Sequence, residues 1–315
     1  MKPINFLYWN TGQKPGTQEN ILNGLFEAHR PWDLLVLGEC PVTLTPTFLD
    51  AKGLVEFDLA SVEKEKFTQR IYYRPAAGIS LRQLASYNEQ HEEESPVGEI
   101  QKAAFDSYTQ LVLRTTSRIS RIALLELAIA DRSTLLACVH FPSKLYLDEV
   151  RQLQAASTYK RFILQGAARN SVALRERIII IGDFNMNPYD LGMLEPMGFH
   201  AISNQTFVKH DRVVQYSPEP MFYNPCWSLL GDHNANQRLP RTGGTQYYSG
   251  PTSRQLYWHL LDQVLISEAL MPGFLHECLE IAQVPAIIAE QIAPRRKGQV
   301  NLLSDHLPLL FSILL

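Results

Sequence analysis

The sequence predicts a mixed α/β fold, and three observations carry that prediction. Short apolar runs of strand length recur through both halves of the chain, several of them apolar at every position, as in a sheet covered on both faces. Stretches with helical periodicity are few. The chain has 315 residues, 45% of them hydrophobic, enough to bury a large core in one big domain or two modest ones.

Taken in order, Ile4–Trp9 is the first strand candidate. Thr17, followed by Gln18-Glu19-Asn20 and apolar Ile21, Leu22, Leu25 and Phe26, reads as a capped helix ending near His29-Arg30-Pro31. Leu34–Leu37, Gln69–Tyr73, Gln110–Leu113, Ile122–Ala130 and Leu135–His140 follow as strands. Between Gln69–Tyr73 and Gln110–Leu113, the acidic run Glu89–Glu94 reads as a solvated loop. Val150, Leu153, Ala156, Phe162 and Ile163 predict a long helix, and Pro188–Met197 a short one. The remaining strands are Ile178–Ile181, Leu260–Ile266 and Leu309–Leu314. No internal repeat interrupts this order.

Charge and cysteine usage exclude several classes. With 29 Lys+Arg against 32 Asp+Glu the net charge is −3, so any nucleic-acid site must be a local patch. The most apolar region, Ile122–Phe141, is broken by Glu126, Asp131 and Arg132, short of the ~18 apolar residues a spanning helix needs. Met1-Lys2-Pro3 leads straight into Ile4–Trp9 without the apolar stretch of a secretory signal. Cys40, Cys138, Cys226 and Cys278 lack CxxC spacing, which argues against a zinc site or a disulfide framework. The expectation is a cytoplasmic protein with reduced thiols and no membrane contact.

Polar residues gather where strands end. The run Ile178–Ile181 stops at Gly182-Asp183-Phe184-Asn185, where glycine allows a tight exit and a carboxylate lies beside an amide. Tyr8-Trp9 ends in Asn10, Leu34–Gly38 in Glu39, and Leu135–Val139 in His140, while Ser304-Asp305-His306 precedes the last strand. Oxygen donors such as Glu39, Asn10 and Asp305 suit Mg²⁺ or Mn²⁺. Each also has a plain alternative: Asn10 as a turn former, Glu39 as a cap, His140 as an interior histidine, Asp183–Asn185 as an Asx turn. Asp262 is the exception, because a carboxylate inside an apolar strand needs a partner.

In this order the motifs resemble the endonuclease/exonuclease/phosphatase superfamily, the DNase-I-like proteins that include exonuclease III-type nucleases. The resemblance spans FLYWN with Asn10, LLVLGE with Glu39, VHFPS with His140, IIIIGDFNMNP with Asp183 and Asn185, LLDQVLIS with Asp262, and SDHLPL with Asp305 and His306. It implies a four-layer α/β sandwich over residues 1–315 as a single domain, two mixed β-sheets packed face to face with helices outside. It also implies metal-assisted hydrolysis of a phosphodiester. His306 would be the general base oriented by Asp262, with Glu39, Asn10 and Asp305 holding Mg²⁺ or Mn²⁺. Asp183 and Asn185 would position water and phosphate, and His140 would act on the phosphate side.

Departures from the family pattern narrow the substrate. Gln263 stands where an aromatic residue or histidine is usual, and Ile71–Arg74 offers no clear acidic partner for His140. Asn187 replaces the arginine expected of an inositol 5-phosphatase. The segment at about 204–259 reads either as a folded cap or as a substrate wall in which Trp227, Tyr247 and Tyr248 stack on bases. In the second reading Arg238, Arg241 and Arg254 meet phosphates, and Arg295-Arg296-Lys297 guides a backbone. A nuclease acting on DNA or RNA leads. A phosphodiesterase or phosphatase on a small nucleotide, lipid or sugar phosphate comes second, and an inactive binding module third.

Overall fold

The structure, a computed structural model, describes residues 2–12, 14, 18–29, 31–41, 47–59, 67–86, 122–144, 147–209, 212–214, 217–231, 241–248, 257–293 and 303–315. The expectations for Thr17, Glu89–Glu94, Gln110–Leu113, Arg238, Arg254 and Arg295–Lys297 lie outside the described residues.

In chain order the strands are β1 (Ile4–Asn10), β2 (Leu34–Pro41), β3 (Val55–Phe57), β4 (Phe67–Tyr73), β5 (Ile79–Ser86), β6 (Ile122–Ile129), β7 (Arg132–His140) and β8 (Ile178–Asp183). They continue as β9 (Ala201–Ile202), β10 (Arg212–Val214), β11 (Ser217–Glu219), β12 (Phe222–Tyr223), β13 (Gln246–Tyr248), β14 (Tyr257–His259), β15 (Asp262–Ile266), β16 (Phe274–Ile281) and β17 (Leu309–Ile313). A six-stranded sheet has the order β16-β17-β1-β2-β4-β3, and a seven-stranded sheet the order β5-β6-β7-β8-β15-β12-β9. Both are mixed. β1 pairs parallel with β2, and β7 parallel with β8, so each pair needs a crossover, supplied by the helices Gln18–Ala28 and Glu149–Asn170.

The isoleucine run explains the layering. Side chains alternate along a strand, so Ile179 and Ile181 point into the core between the sheets, beside Phe6, Tyr8, Val264 and Ile266. Ile178 and Ile180 point the other way, onto Ala155, Ala156, Tyr159 and Ile163 of the long helix. A central strand covered on both faces has no polar position to offer, hence four isoleucines in a row. The result is the four-layer sandwich of two facing mixed sheets with helices outside. Asp148 caps the long helix by accepting from Arg151 N at 2.9 Å.

Two edge strands, β5 and β16, were invisible in the apolar pattern. β5 carries Ser80, Arg82 and Gln83, with Arg82 paired to Glu126 across the ladder, and β16 presents exposed His276 and Glu277. Edge strands meet water, so their sequences lose the continuous apolar signature. The 204–259 segment contributes strand β12 to the seven-stranded sheet, between β15 and β9. Among the described residues no helix is long and apolar enough to cross a membrane.

Candidate active site

Strand register assembles the site. Parallel pairing of β7 with β8 sets His140 opposite Asp183, and antiparallel pairing of β8 with β15 sets Asp262 opposite Asp183. His140, Asp183 and Asp262 thus form one row across the mouth of the seven-stranded sheet. In the other sheet Asn10 lies opposite Gly38, which brings Glu39 alongside. The β2–β4 ladder breaks between Leu37 and Cys40, and Glu39 has φ 44°, so a bulge re-aims the side chain that regular pleating would send elsewhere. The turn before β17 is tied down by Ser304 Oγ donating to Asn10 O at 2.6 Å and by Trp9 Nε1 donating to the His306 carbonyl at 3.0 Å.

Asp183 is the hub. Its Oδ1 accepts from Asn185 N at 2.7 Å, and its Oδ2 accepts from Asn10 Nδ2 at 3.0 Å and Asn185 Nδ2 at 3.1 Å. The Nε2 atoms of His140 and His306 each lie 3.9 Å from that same oxygen. Asn185 has φ 49°, a left-handed conformation that asparagine tolerates, and also donates to Phe141 O at 2.8 Å. Gly182 is required by the close approach of β7, since a Cβ there would fall 1.8 Å from Val139 O. His306 Nδ1 lies 2.7 Å from Asp262 Oδ2, both side chains buried. The acidic partner of His140 comes from β2 rather than Ile71–Arg74: Glu39 Oε1 is 3.3 Å from its Nε2.

Burial and the neighbouring charges together set the electrostatics. It pushes the Asp183 carboxyl up to about 8, against the opposing pull of His306 and with the help of Asp262. For His306 burial acts downward, but the charge and hydrogen bond of Asp262, then Asp183 and Asp305, outweigh it and raise the imidazole well above its ordinary value. Two overlapping donor sets result, Glu39–His140–Asp183 and Asp183–Asp262–His306, whose ligand atoms within each set all lie within 4.8 Å of one another. A buried carboxyl driven toward its neutral form is what a bound cation would reverse, so these residues fit a divalent ion.

Two expected ligands have other hydrogen-bond partners. Asp305 stands outside both sets: its Oδ2 accepts from Gln246 Nε2 at 3.0 Å, because the turn carrying it sends Asp305 and His306 to different neighbours. Asn10 offers its amide nitrogen to Glu39 and Asp183, while its oxygen accepts from Gly12 N at 3.0 Å. Asn10 thereby ties the two carboxylates together.

The expected substrate residues separate. Tyr248 faces the site: burial first, then Asp183 and Asp305, push its hydroxyl up to about 12, and its ring meets His259 edge-on at 4.9 Å. Tyr247 packs instead on Trp258 at 5.2 Å within the β13–β14 hairpin. Trp227 is half-buried in the turn Pro225–Leu229, and Arg241 Nη2 donates to Ser228 O at 2.8 Å. Among the described residues no hydrogen bond or ring contact joins Tyr247, Trp227 or Arg241 to the carboxylates. Sequence reasoning overlooked Thr245, whose Oγ1 accepts from Leu261 N and Asp262 N at 3.3 Å each, and Tyr8, discussed below. Gln263, in the position usually aromatic, is a buried brace that donates to Met186 O at 2.6 Å.

No protein-family model and no curated protein sequence matches this chain. Solved structures do. Truncated Caenorhabditis elegans TDP2 matches with TM-score 0.55 and 11% identity over 99% of this chain and 97% of its own. ANGEL2, a 2′,3′-cyclic phosphatase in complex with adenosine-2′,3′-vanadate, matches with TM-score 0.53 and 13% identity over 98% and 95%. An endonuclease/exonuclease/phosphatase family protein from Bacteroides thetaiotaomicron matches with TM-score 0.51 and 11% identity over 99% and 95%. The chain therefore has the DNase-I-like fold of the endonuclease/exonuclease/phosphatase proteins.

Proposed function

We propose that this protein is a divalent-metal-dependent phosphodiesterase that cleaves a polynucleotide. The observation that carries the reading is the buried His306–Asp262 pair, 2.7 Å apart, with the free edge of His306 3.9 Å from Asp183 Oδ2. A water molecule seated beside this pair would have the Asp183 oxygen as acceptor and the imidazole as base. Asp262 fixes the imidazole by accepting the hydrogen bond of Nδ1–H, so Nε2 is the atom that removes a proton from water. The water oxygen bonds to phosphorus as the bond to the leaving oxygen breaks, and His140, facing Glu39, returns a proton to that oxygen. Glu39 and Asp183 would hold the cation, which when bound supplies positive charge against the phosphorane oxygens and lowers the proton affinity of the carboxyl and imidazole groups. Asn10 and Asn185 hold Asp183 in one orientation through both amide side chains.

Tyr248 beside the carboxylates supports a base-bearing substrate, and one similar structure is Danio rerio TDP2 complexed with a single strand DNA product, TM-score 0.51 at 13% identity over 99% of each chain. A small nucleotide is the second reading, favoured by the likeness to ANGEL2 with its adenosine-2′,3′-vanadate. Purified protein assayed with Mg²⁺ or Mn²⁺ on single- and double-stranded DNA, RNA, a 2′,3′-cyclic nucleotide and a small phosphodiester tests both. Faster turnover of a polynucleotide supports the first, preference for the small substrates supports the second, and full activity in excess chelator refutes the metal requirement.

A further inference from the structure

One buried hydroxyl reaches the site from underneath. Tyr8 lies on β1 with its ring in the core between the sheets, fully enclosed, and its Oη accepts the backbone N–H of Asp183 at 2.9 Å. This bond crosses from one sheet to the other. The neighbouring strands flank it: Phe141 N donates to Asp183 O at 2.8 Å, and Phe184 N to Leu261 O at 2.9 Å. Asp183 stays paired with His140 and Asp262 in the seven-stranded sheet, and the Tyr8 hydroxyl adds a tie from the facing sheet to the residue whose carboxylate organises the site.

The space for that oxygen comes from Gly38. A Cβ at Gly38 would stand 2.6 Å from Tyr8 Oη and 3.4 Å from its Cζ, so any larger residue collides with the hydroxyl but only touches the ring. Gly38 also pairs with Asn10 and precedes Glu39, so the hydroxyl sits where both sheets bring their carboxylates together.

We propose that Tyr8 is a positioning residue: its hydroxyl, seated in the space Gly38 leaves, holds the Asp183 amide across the gap between the sheets and so sets the Asp183 carboxylate among Asn10, His140 and His306. Its kinetic consequence rests on the hydrolase reading above, while its metal-binding consequence does not. Removing supporting groups behind a metal or catalytic centre typically costs about 10–100-fold in affinity or activity.

The test is a double-mutant cycle of Tyr8→Phe and Gly38→Ala, read by kcat and KM on a phosphodiester and by Mn²⁺ affinity from electron paramagnetic resonance. Tyr8→Phe should lower kcat about 10–100-fold with KM within about threefold, and weaken Mn²⁺ binding, while circular dichroism stays native. Gly38→Ala, which displaces the hydroxyl from the other side, should cause a similar loss and keeps the idea testable if Tyr8→Phe folds poorly. In the double variant the methyl meets only the ring edge, so the losses should be strongly non-additive. Wild-type turnover and Mn²⁺ affinity in Tyr8→Phe, or additive losses in the cycle, would overturn the proposal. If the wild-type protein cleaves no phosphodiester, the hydrolase reading falls, and Mn²⁺ affinity across the cycle still decides the role of Tyr8.

Discussion

Consider the loss of one member of the His306–Asp262 pair. The two groups are 2.7 Å apart, and their side chains are 5% and 0% exposed. His306→Ala leaves the Asp262 carboxylate buried with neither oxygen partnered, since its Oδ1 has no hydrogen-bond partner among the described residues. Breaking a buried pair from one side costs roughly 3–5 kcal/mol because the survivor's charge is uncompensated. Removing both groups spares that penalty, so His306→Ala/Asp262→Ala should be more stable than the sum of the single losses. Turnover should follow the same logic. Losing general-base assistance is worth about 10²–10⁴-fold, and residues acting as one unit lose little more together than singly. Steady-state turnover and thermal unfolding measured on the same preparations separate the two effects. A folded His306→Ala protein with near-wild-type turnover refutes the mechanism. An Asp262→Ala protein that melts early but turns over normally per folded molecule reduces Asp262 to a structural group.

Four further outcomes are expected. Without a cation, the Asp183 carboxyl stays protonated up to about 8, well above its ordinary value of about 3.9. Its folded-state affinity for protons exceeds that of the unfolded chain. Its contribution to stability is therefore complete below about pH 3.9 and is lost as pH rises through about 8, and the raised His306 adds a loss in the same direction. Metal-free protein should melt earlier as pH rises across this window, and divalent-ion binding should release protons and tighten with pH; calorimetry in buffers of different ionisation enthalpy checks this, with pH-independent affinity as the refuting result. Glu39→Ala should raise the metal concentration needed for half-maximal activity, and an unchanged midpoint would remove Glu39 from the ligand set. Cleavage of a polynucleotide below saturation should slow linearly in log rate against log salt as phosphate contacts release counterions, whereas a salt-insensitive rate favours the small-substrate reading. Gly182→Ala should cost more than about 4 kcal/mol, because the 1.8 Å approach to Val139 O is to backbone that cannot turn aside; urea unfolding with a smaller loss would contradict the strand geometry.

The amino-acid sequence by itself determined the strands that are buried on both faces and the polar residues at their ends. β1, β2, β7 and β8 announce themselves because apolar runs of this length have few other uses, and Asn10, Glu39, His140 and Asp183 are conspicuous as the polar side chains that end those runs. Asp262 was conspicuous for the opposite reason, a charge within an apolar strand. Only the tertiary structure decided which of these groups meet. Asn10 and Asp183 are 173 positions apart, and their contact follows from the facing of two sheets, which no local pattern encodes. The partner of His140 depended on a bulge that turns Glu39 inward, and the separation of Asp305 from His306 depended on Gln246 of a hairpin packed against their turn. Tyr8 illustrates the limit most plainly. In sequence it is one more large residue on the inner face of a strand. Its hydroxyl acquires a role because Gly38, on the next strand, leaves the volume it fills beneath Asp183.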